Sequence, residues 1–218
     1  MEATIFAGLA SALIGYLLGS ISFAVIVSRI YAKDDVRNHG SHNAGMTNVL
    51  RVYGVGPAAC TLLGDFAKGV LAVVLGRMIF HAFGISGFDA GYISGLGALL
   101  GHLFPIWFGF RGGKGVLTSI GIMIAINPLA IGLILLVMLP FVFIVRIVSL
   151  ASILGAALFP PVTYLLLSYQ GKPALIDTCL SAIFAVLVIW MHRSNIKRLL
   201  NGTEKRLTLP KKADKNKQ

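Results

Sequence analysis

Long apolar stretches alternate with short polar segments along most of the chain. A bilayer core requires about 20 residues of helix, and most of these stretches approach or exceed that length. We predict that they are membrane-spanning helices, and that the first is a span rather than a cleaved signal peptide, because no basic segment precedes it. The apolar stretches cover about residues 3–30, 57–83, 91–108, 116–145, 148–167 and 174–191.

The stretch from residue 116 to 145 determines the number of spans. Its Asn127-Pro128 pair predicts a break, because proline has no amide donor and disfavours helix at the residue before it. The break creates a short fourth span at residues 116–126, which must be buried by its neighbours or be partly re-entrant. The sequence therefore predicts an all-α, polytopic membrane protein with seven transmembrane helices, some of them short or broken.

Basic residues predict the orientation of these helices. Lysine and arginine are retained on the cytoplasmic side, and here they concentrate after residue 191 and in the first loop, which holds Lys33, Arg37 and Arg51. A cytoplasmic first loop and a cytoplasmic C-terminus require an odd number of spans, so the N-terminus is predicted outside. We expect residues 1–209 to form one transmembrane domain and residues 210–218 to form a basic, disordered tail near anionic lipid.

The composition argues against several other classes of protein. Apolar residues make up 56% of the chain and charged residues only 12%, which is too much apolar surface for a soluble core of this size. The net charge of +11 falls between the spans and in the tail, so nucleic acid is not an expected partner. Cys60 and Cys179 lack metal-site spacing, so we expect two small apolar helix residues and no metal site.

Residues 39–51 form the first of three polar segments that are too rich in glycine for ordinary connections. Neutral donors and a cation occur together here, and glycine allows the backbone to approach a ligand. A solvated loop that leads into a helix capped by Thr47 or Asn48 explains the same pattern. The candidate ligand-binding residues are Ser41, Asn43, Gly45, Thr47, Asn48 and Arg51.

Residues 110–118 form the second polar segment. Gly112, Gly113 and Gly115 surround Lys114 just before a predicted helix. Backbone amides, a helix N-terminus and a lysine favour phosphate binding, although the spacing is not that of a Walker A nucleotide loop. A flexible, positively charged turn is the alternative interpretation.

Residues 192–204 form the third polar segment. His192 and Asn195 are three residues apart and share a helix face, where a neutral imidazole can orient a hydroxyl or accept its proton. Glu204 lies among basic residues, and we expect it to form a structural ion pair with one of them. Ser149, near the start of a span, is either a further donor or a helix cap.

Ionisable residues also occur inside the predicted second span. Asp65 and Lys68 have the i,i+3 spacing of an ion pair. A role in a functional site is the alternative, because charges at membrane depth are costly. In the third span, we expect His102 to bond a neighbouring backbone and Pro105 to kink the helix.

Glycines four residues apart predict close contacts between helices, because small faces let the backbones approach. The pairs are Gly15 and Gly19, Gly91 and Gly95, and Gly97 and Gly101.

From the residues alone, two functions remain open: an enzyme of anionic lipid, or a transporter of organic anions. A transporter is expected to have a cationic path at mid-membrane and usually paired repeats. The glycine-rich segments of this chain instead lie on one predicted side of the membrane.

The polar segments closely resemble the motifs of the bacterial acyl-phosphate-dependent glycerol-3-phosphate acyltransferases, and the resemblance runs nearly from end to end. The first motif, S-x-N-x-G-x-T-N-x-x-R, matches residues 41–51. The second, G-H-x-F-P followed by G-G-K-G-V, matches residues 101–105 and 112–116. The third, H-R-x-N-I-x-R-L, matches residues 192–199, and Asp65 with Lys68 resembles the family's D-x-x-K-G.

This resemblance implies transfer of an acyl group from acyl phosphate to the sn-1 position of glycerol 3-phosphate, which yields lysophosphatidic acid and phosphate. It implies a multi-pass protein of the bacterial cytoplasmic membrane with a cytoplasmic active site and no cofactor. The implied partners are the two substrates, membrane lipid and, transiently, the soluble enzyme that makes acyl phosphate. No histidine is followed five residues later by aspartate, so the signature of the acyl-CoA-using acyltransferases is absent.

The resemblance also assigns roles to individual residues. Those implied to be catalytic are Ser41, Arg51, Lys114, His192 and Asn195. Those implied to bind substrate are Asn43, Gly45, Thr47, Asn48, Gly112, Gly113, Gly115 and Ser149. Those implied to be structural are Asp65, Lys68 and Glu204.

Overall fold

The computed structural model describes residues 1–207, which form ten α-helices and two short 3-10 turns and contain no strand. The predicted tail at residues 210–218 lies outside the described residues. The helices are α1 (Glu2–Gly19), α2 (Phe23–Ala32), α3 (Met46–Tyr53), α4 (Val55–Ala82), α5 (Gly91–Leu103), α6 (Val116–Ile126), α7 (Pro128–Val145), α8 (Val148–Tyr169), α9 (Leu175–Met191) and α10 (Arg193–Leu200).

Several of these helices are long and apolar enough to cross a membrane, which confirms the prediction of an all-α protein with multiple spans. A sixth candidate arises where α9 and α10, bent by 60° relative to each other, are taken as one span. The short apolar helix α6 has only 11 residues. The five clear candidates are Glu2–Ala32, Val55–Ala82, Gly91–Phe108, Pro128–Val145 and Val148–Tyr169.

The outer surface of the bundle is apolar, as expected for a protein that contacts lipid. On α7, Leu136, Phe143 and Ile144 are 71%, 75% and 80% exposed, and soluble proteins rarely expose apolar surface of this kind over a large area. Cys60 and Cys179 are free and exposed on α4 and α9, so they serve as small helix residues, as predicted.

The predicted break at Asn127-Pro128 is confirmed. Helix α6 ends at Ile126 and α7 begins at Pro128. The side chain of Asn127 caps the new helix by accepting a hydrogen bond from Ala130 N–H at 3.2 Å. Proline at the first helical position requires no amide partner, so the sequence both ends one helix and begins the next here.

The first apolar stretch is not one continuous helix, as the sequence suggested. Helix α1 ends at Gly19, and α2 begins at Phe23 after a short break with buried Ser20 and Ser22. The carbonyl of Ile21 accepts a hydrogen bond from Lys68 Nζ at 2.8 Å. A side chain from another helix therefore satisfies a backbone group in the break.

The predicted glycine contacts are confirmed between α1 and α5. A Cβ added to Gly19 would overlap the backbone of Ala98, and one added to Gly101 would overlap the backbone of Tyr16. Close backbone approach is the usual role of small residues at helix contacts in membranes. This contact fixes α5, whose C-terminal end reaches the candidate site.

The prediction that Pro105 kinks its helix is wrong. Helix α5 ends at Leu103, and Pro105 instead precedes a 3-10 turn at Ile106–Phe108. Because proline disfavours helix at the residue before it, the helix stops at this point rather than bending.

Candidate active site

The three glycine-rich segments meet at one end of the bundle and enclose a polar cavity of about 610 Å³. All five residues expected to be catalytic line it, so segments far apart in sequence share one space. The lining includes Ser41, Asn43, Gly45, Thr47, Asn48, Arg51, Lys114, Gly115, Ser149, His192, Asn195, Arg198 and Glu204.

The amide of Asn48 organises the first segment from within. Its Oδ1 accepts from Ser41 N–H at 2.8 Å, and its Nδ2 lies 3.0 Å from the carbonyls of Val36 and His39 and 3.1 Å from that of Asn43. These contacts occupy the polar atoms of a side chain that is only 2% exposed. The structure therefore gives Asn48 a role in shaping the loop instead of the expected substrate contact.

The alternative reading of this segment, with Thr47 or Asn48 as a helix cap, is also wrong. Helix α3 begins at Met46, and Gly45 occupies the cap position. Thr47 thus lies inside the first turn and lines the cavity.

Arg37 joins the first segment to the second. Its guanidinium donates to the carbonyl of Phe108 at 2.6 Å and to that of Arg111 at 3.1 Å. It also pairs with Asp35 at 2.8 Å, and the hydrogen bond from Arg37 is the main cause that lowers the pKa of Asp35 to about 2. The two loops are therefore held together by a charged, partly buried contact.

The structure contradicts the expectation that the amides of Gly112 and Gly113 face a ligand. Gly112 N–H donates to Leu103 C=O, and Gly113 N–H donates to His102 C=O, each at 3.2 Å. A Cβ on Gly113 would overlap the imidazole of His102. These glycines are small because they pack against the end of α5, and neither lines the cavity.

Gly115 has the conformation that glycine favours and lies at the cavity. Its φ is +81°, and it forms the N-cap of α6. Gly115, Val116 and Leu117 line the cavity. The first N–H groups of a helix lack partners within it and favour anions, so this helix start retains the phosphate-binding character predicted for the segment.

Lys114 begins a chain of hydrogen bonds to the third segment. Its ammonium donates to Asn195 Oδ1, and Asn195 Nδ2 donates to Glu204 Oε1 at 2.6 Å. Burial lowers the pKa of Lys114 to about 8, and the nearby cations Arg198 and Arg51 add to the effect. Lys114 is therefore a cation whose charge is weakened by its surroundings.

Glu204 forms the structural ion pair that was predicted, with Arg198 at 2.6 Å. It also accepts from Ser149 Oγ at 2.8 Å. Burial acts to raise the pKa of Glu204, but hydrogen bonds from Asn195, Ser149 and Arg198 outweigh it and keep the pKa below its usual value. Ser149 thus gives its one proton to Glu204 rather than to a ligand, and Ile147 occupies the cap position of α8.

His192 lies just beyond the last spanning helix and is 2% exposed. Its Nδ1 lies 2.8 Å from the carbonyl of Val188, so Nδ1 must carry the proton and Nε2 keeps a lone pair. Burial lowers the pKa of His192 to about 4. The imidazole is neutral at pH 7 and can accept a hydrogen bond from a hydroxyl.

Positive charge dominates the polar cavity. Arg51, in the last turn of α3, lines it and forms no ion pair among residues 1–207. The motifs left Arg193, Arg198 and Lys205 unassigned, although all three also line the cavity. The three-residue spacing from Asn195 to Arg198 was the signal for one of them, since such residues share a helix face.

The predicted ion pair between Asp65 and Lys68 is confirmed at 2.7 Å, with both side chains almost fully buried. The expectation for His102 is wrong, because its Nδ1 contacts Lys68 Nζ at 2.9 Å instead of a backbone group. Asp65 and His102 also line the polar cavity. The costly charges at membrane depth were the sequence signal for a further polar partner.

A second cavity, of about 270 Å³, adjoins the polar one and has an apolar lining. Helices α6, α7, α8 and α9 form its walls, and Phe159 and Phe184 are among the residues that line it. Some residues line both cavities, so one amphipathic molecule can occupy the two. The shared residues are Met46, Thr47, Val116, Val148, Ser152 and Leu207.

Known proteins with similar sequences share one description. The family model for glycerol-3-phosphate acyltransferase matches residues 9–202. A glycerol-3-phosphate acyltransferase of Halalkalibacterium halodurans is 45% identical over 88% of this chain and 91% of its own. One from Clostridioides difficile is 42% identical over 93% of this chain and 97% of its own.

Solved structures extend this similarity to the fold. The crystal structure of PlsY (YgiH), an integral membrane glycerol 3-phosphate acyltransferase, in its glycerol 3-phosphate form has a TM-score of 0.79 and 35% identity, covering 92% of this chain and 96% of that one. Its lysophosphatidic acid form has a TM-score of 0.76 over 91% and 94% of the two chains. The chain described here belongs to the glycerol-3-phosphate acyltransferase family.

Proposed function

We propose that this glycerol-3-phosphate acyltransferase takes its acyl group from acyl phosphate and transfers it to the sn-1 hydroxyl of glycerol 3-phosphate. The products are lysophosphatidic acid and phosphate. The main support is one observation: a cationic cavity lined by Arg51, Lys114 and His192 shares its wall with an apolar cavity. Two phosphate-bearing substrates and one hydrocarbon chain require both environments side by side.

Positioning and charge stabilisation supply the catalysis in this proposal. Arg51, Lys114 and the N-terminus of α6 bind the phosphates, and the Ser41 hydroxyl donates a further hydrogen bond. The sn-1 oxygen attacks the acyl carbon, a new C–O bond forms, and the bond to the leaving phosphate breaks. His192 Nε2 orients the hydroxyl, and the phosphate takes its proton, because an imidazole with a pKa of about 4 is a weak base.

The acyl chain lies in the apolar cavity between α6, α7, α8 and α9. Thr47 and Val116 line both cavities, so the reacting carbonyl belongs near them. Acyl phosphate fits this arrangement because it is already activated and needs no separate base. The absence of a histidine–aspartate signature in the sequence agrees with a donor other than acyl-CoA.

The transporter alternative has less support. The charges at membrane depth, Asp65 and Lys68, pair with each other at 2.7 Å and so provide no free cation along a path through the bundle. The remaining cations of the site gather at one end, around the polar cavity.

Acyl donor identity is the test of the proposal. The purified protein, given radiolabelled glycerol 3-phosphate and no added metal, should form labelled lysophosphatidic acid with acyl phosphate but not with acyl-CoA. Product formed only from acyl-CoA would overturn the donor assignment. Positional analysis of the product should find the acyl group at sn-1.

The proposed topology has seven spans, with α6 as the short fourth, an external N-terminus and a cytoplasmic site in a bacterial cytoplasmic membrane. A transient contact with the soluble enzyme that makes acyl phosphate would occur on that cytoplasmic side. In a background with Cys60→Ser and Cys179→Ser, an impermeant thiol reagent should label Glu2→Cys and Lys172→Cys in intact cells. Lys33→Cys and Asn201→Cys should react only after permeabilisation, and the reverse pattern would refute the orientation.

Removal of a phosphate-binding cation should slow the reaction strongly. We expect Arg51→Ala and Lys114→Ala each to lower kcat/KM by about 10²–10³-fold, the size of one charge-assisted contact to a developing anion. Steady-state assays with acyl phosphate measure the change. Lys172→Ala is the matched control, because Lys172 is exposed and lies outside the cavity lining. Full activity of folded Arg51→Ala or Lys114→Ala would refute its role.

The pH dependence should distinguish Lys114 from His192. Because the lowered pKa of Lys114 is about 8, kcat/KM should fall as the pH rises through that value and the ammonium loses its proton. Lys114→Arg should remove this alkaline fall, since a guanidinium stays charged. His192→Ala should lower the rate and leave the alkaline fall in place. Loss of the whole pH profile in His192→Ala would instead make His192 the base.

A further inference from the structure

A buried polar cluster lies below the second glycine-rich segment, at the wall of the polar cavity. Lys68 Nζ hydrogen-bonds Ile21 C=O at 2.8 Å and contacts His102 Nδ1 at 2.9 Å. Asp65 Oδ1 lies 2.7 Å from Nζ, as an ion pair without hydrogen-bond alignment. The cluster thus links the break after α1 with α4 and the end of α5.

These contacts fix which nitrogen of His102 carries the proton. A lysine ammonium is only a donor, so the 2.9 Å contact requires a lone pair on Nδ1 of His102. The contact from Nδ1 to Asp65 is longer, at 3.5 Å, and does not compete. A neutral imidazole with an unprotonated Nδ1 carries its hydrogen on Nε2.

Nε2 of His102 is then a hydrogen-bond donor at the cavity wall. His102 is 6% exposed and lines the polar cavity. Its Nε2 lies beside Gly113, where a Cβ would overlap it. Among the hydrogen bonds of residues 1–207, the ring takes part only through Nδ1. A buried donor without a protein acceptor is costly, and the cationic surroundings favour an anionic acceptor from a ligand.

We propose that His102 is a further substrate-contacting residue, whose Nε2–H donates to a phosphate oxygen of a bound substrate. Lys68 and Asp65 are positioning residues that hold the imidazole in the required tautomer. This inference rests on the proposed function, because the acceptor is a phosphate of glycerol 3-phosphate or acyl phosphate. His192 has the opposite tautomer, with its lone pair on Nε2, so the two histidines complement each other.

Two amide variants separate the donor from the packing role. His102→Asn keeps an acceptor near the Nδ1 position for Lys68 and loses the Nε2 donor. His102→Gln keeps a donor near the Nε2 position. We expect His102→Asn to lower kcat/KM by about 10–100-fold, as for a lost hydrogen bond to a charged group, and His102→Gln to retain more activity.

The separate KM values for the two substrates identify which phosphate is contacted, since the KM of that substrate should rise most in His102→Asn. Wild-type kcat/KM in folded His102→Asn overturns the proposal. Equal losses in both variants also overturn it, because they indicate only a packing role. Wild-type protein that makes no lysophosphatidic acid in the same assay refutes the proposed function itself.

A measurement on the wild-type protein remains decisive if the variants do not fold. Nitrogen-15 NMR of labelled histidine, with each substrate added alone, reports the protonated nitrogen of His102. We expect the hydrogen on Nε2 and a shift of its signal with the substrate whose phosphate it contacts. In Lys68→Met, part of the hydrogen should move to Nδ1. A hydrogen on Nδ1 in the wild type, or an Nε2 signal that neither substrate changes, overturns the proposal.

Discussion

The site depends on holding several like charges close together in a partly buried space. Arg51, Lys114 and Arg198 all act on one another around the cavity, and burial with this repulsion lowers the pKa of Lys114. Glu204 is the counterweight, because it accepts from Asn195 and pairs with Arg198. One carboxylate cannot neutralise the whole group, so the cavity has a standing affinity for anions.

Local patterns in the sequence were sufficient for much of the fold. The break at Asn127-Pro128, the i,i+3 pair of Asp65 and Lys68, and the glycine contact between α1 and α5 each follow from residues a few positions apart. Such features depend on helix geometry, which a sequence carries directly. The break after Gly19 escaped prediction because the partner that satisfies Ile21 comes from α4.

The candidate site was predictable as a set of segments but not atom by atom. The motifs identified which loops would meet, yet Gly112 and Gly113 give their amides to α5, and Asn48 gives its side chain to its own loop. Residue type cannot reveal whether a donor faces a ligand or the protein, because both satisfy the same hydrogen-bonding requirement. His102 became informative only when Lys68 was found beside it.

The segment after the last helix closes the site. Glu204 reaches Arg198 and Ser149, and Leu207 lines both cavities while its N–H donates to Arg146 C=O at 2.6 Å. All ten helices precede this segment in the chain. During synthesis the protein therefore enters the membrane with its charged cavity unbalanced, and the finished arrangement forms only after the ribosome has passed these positions.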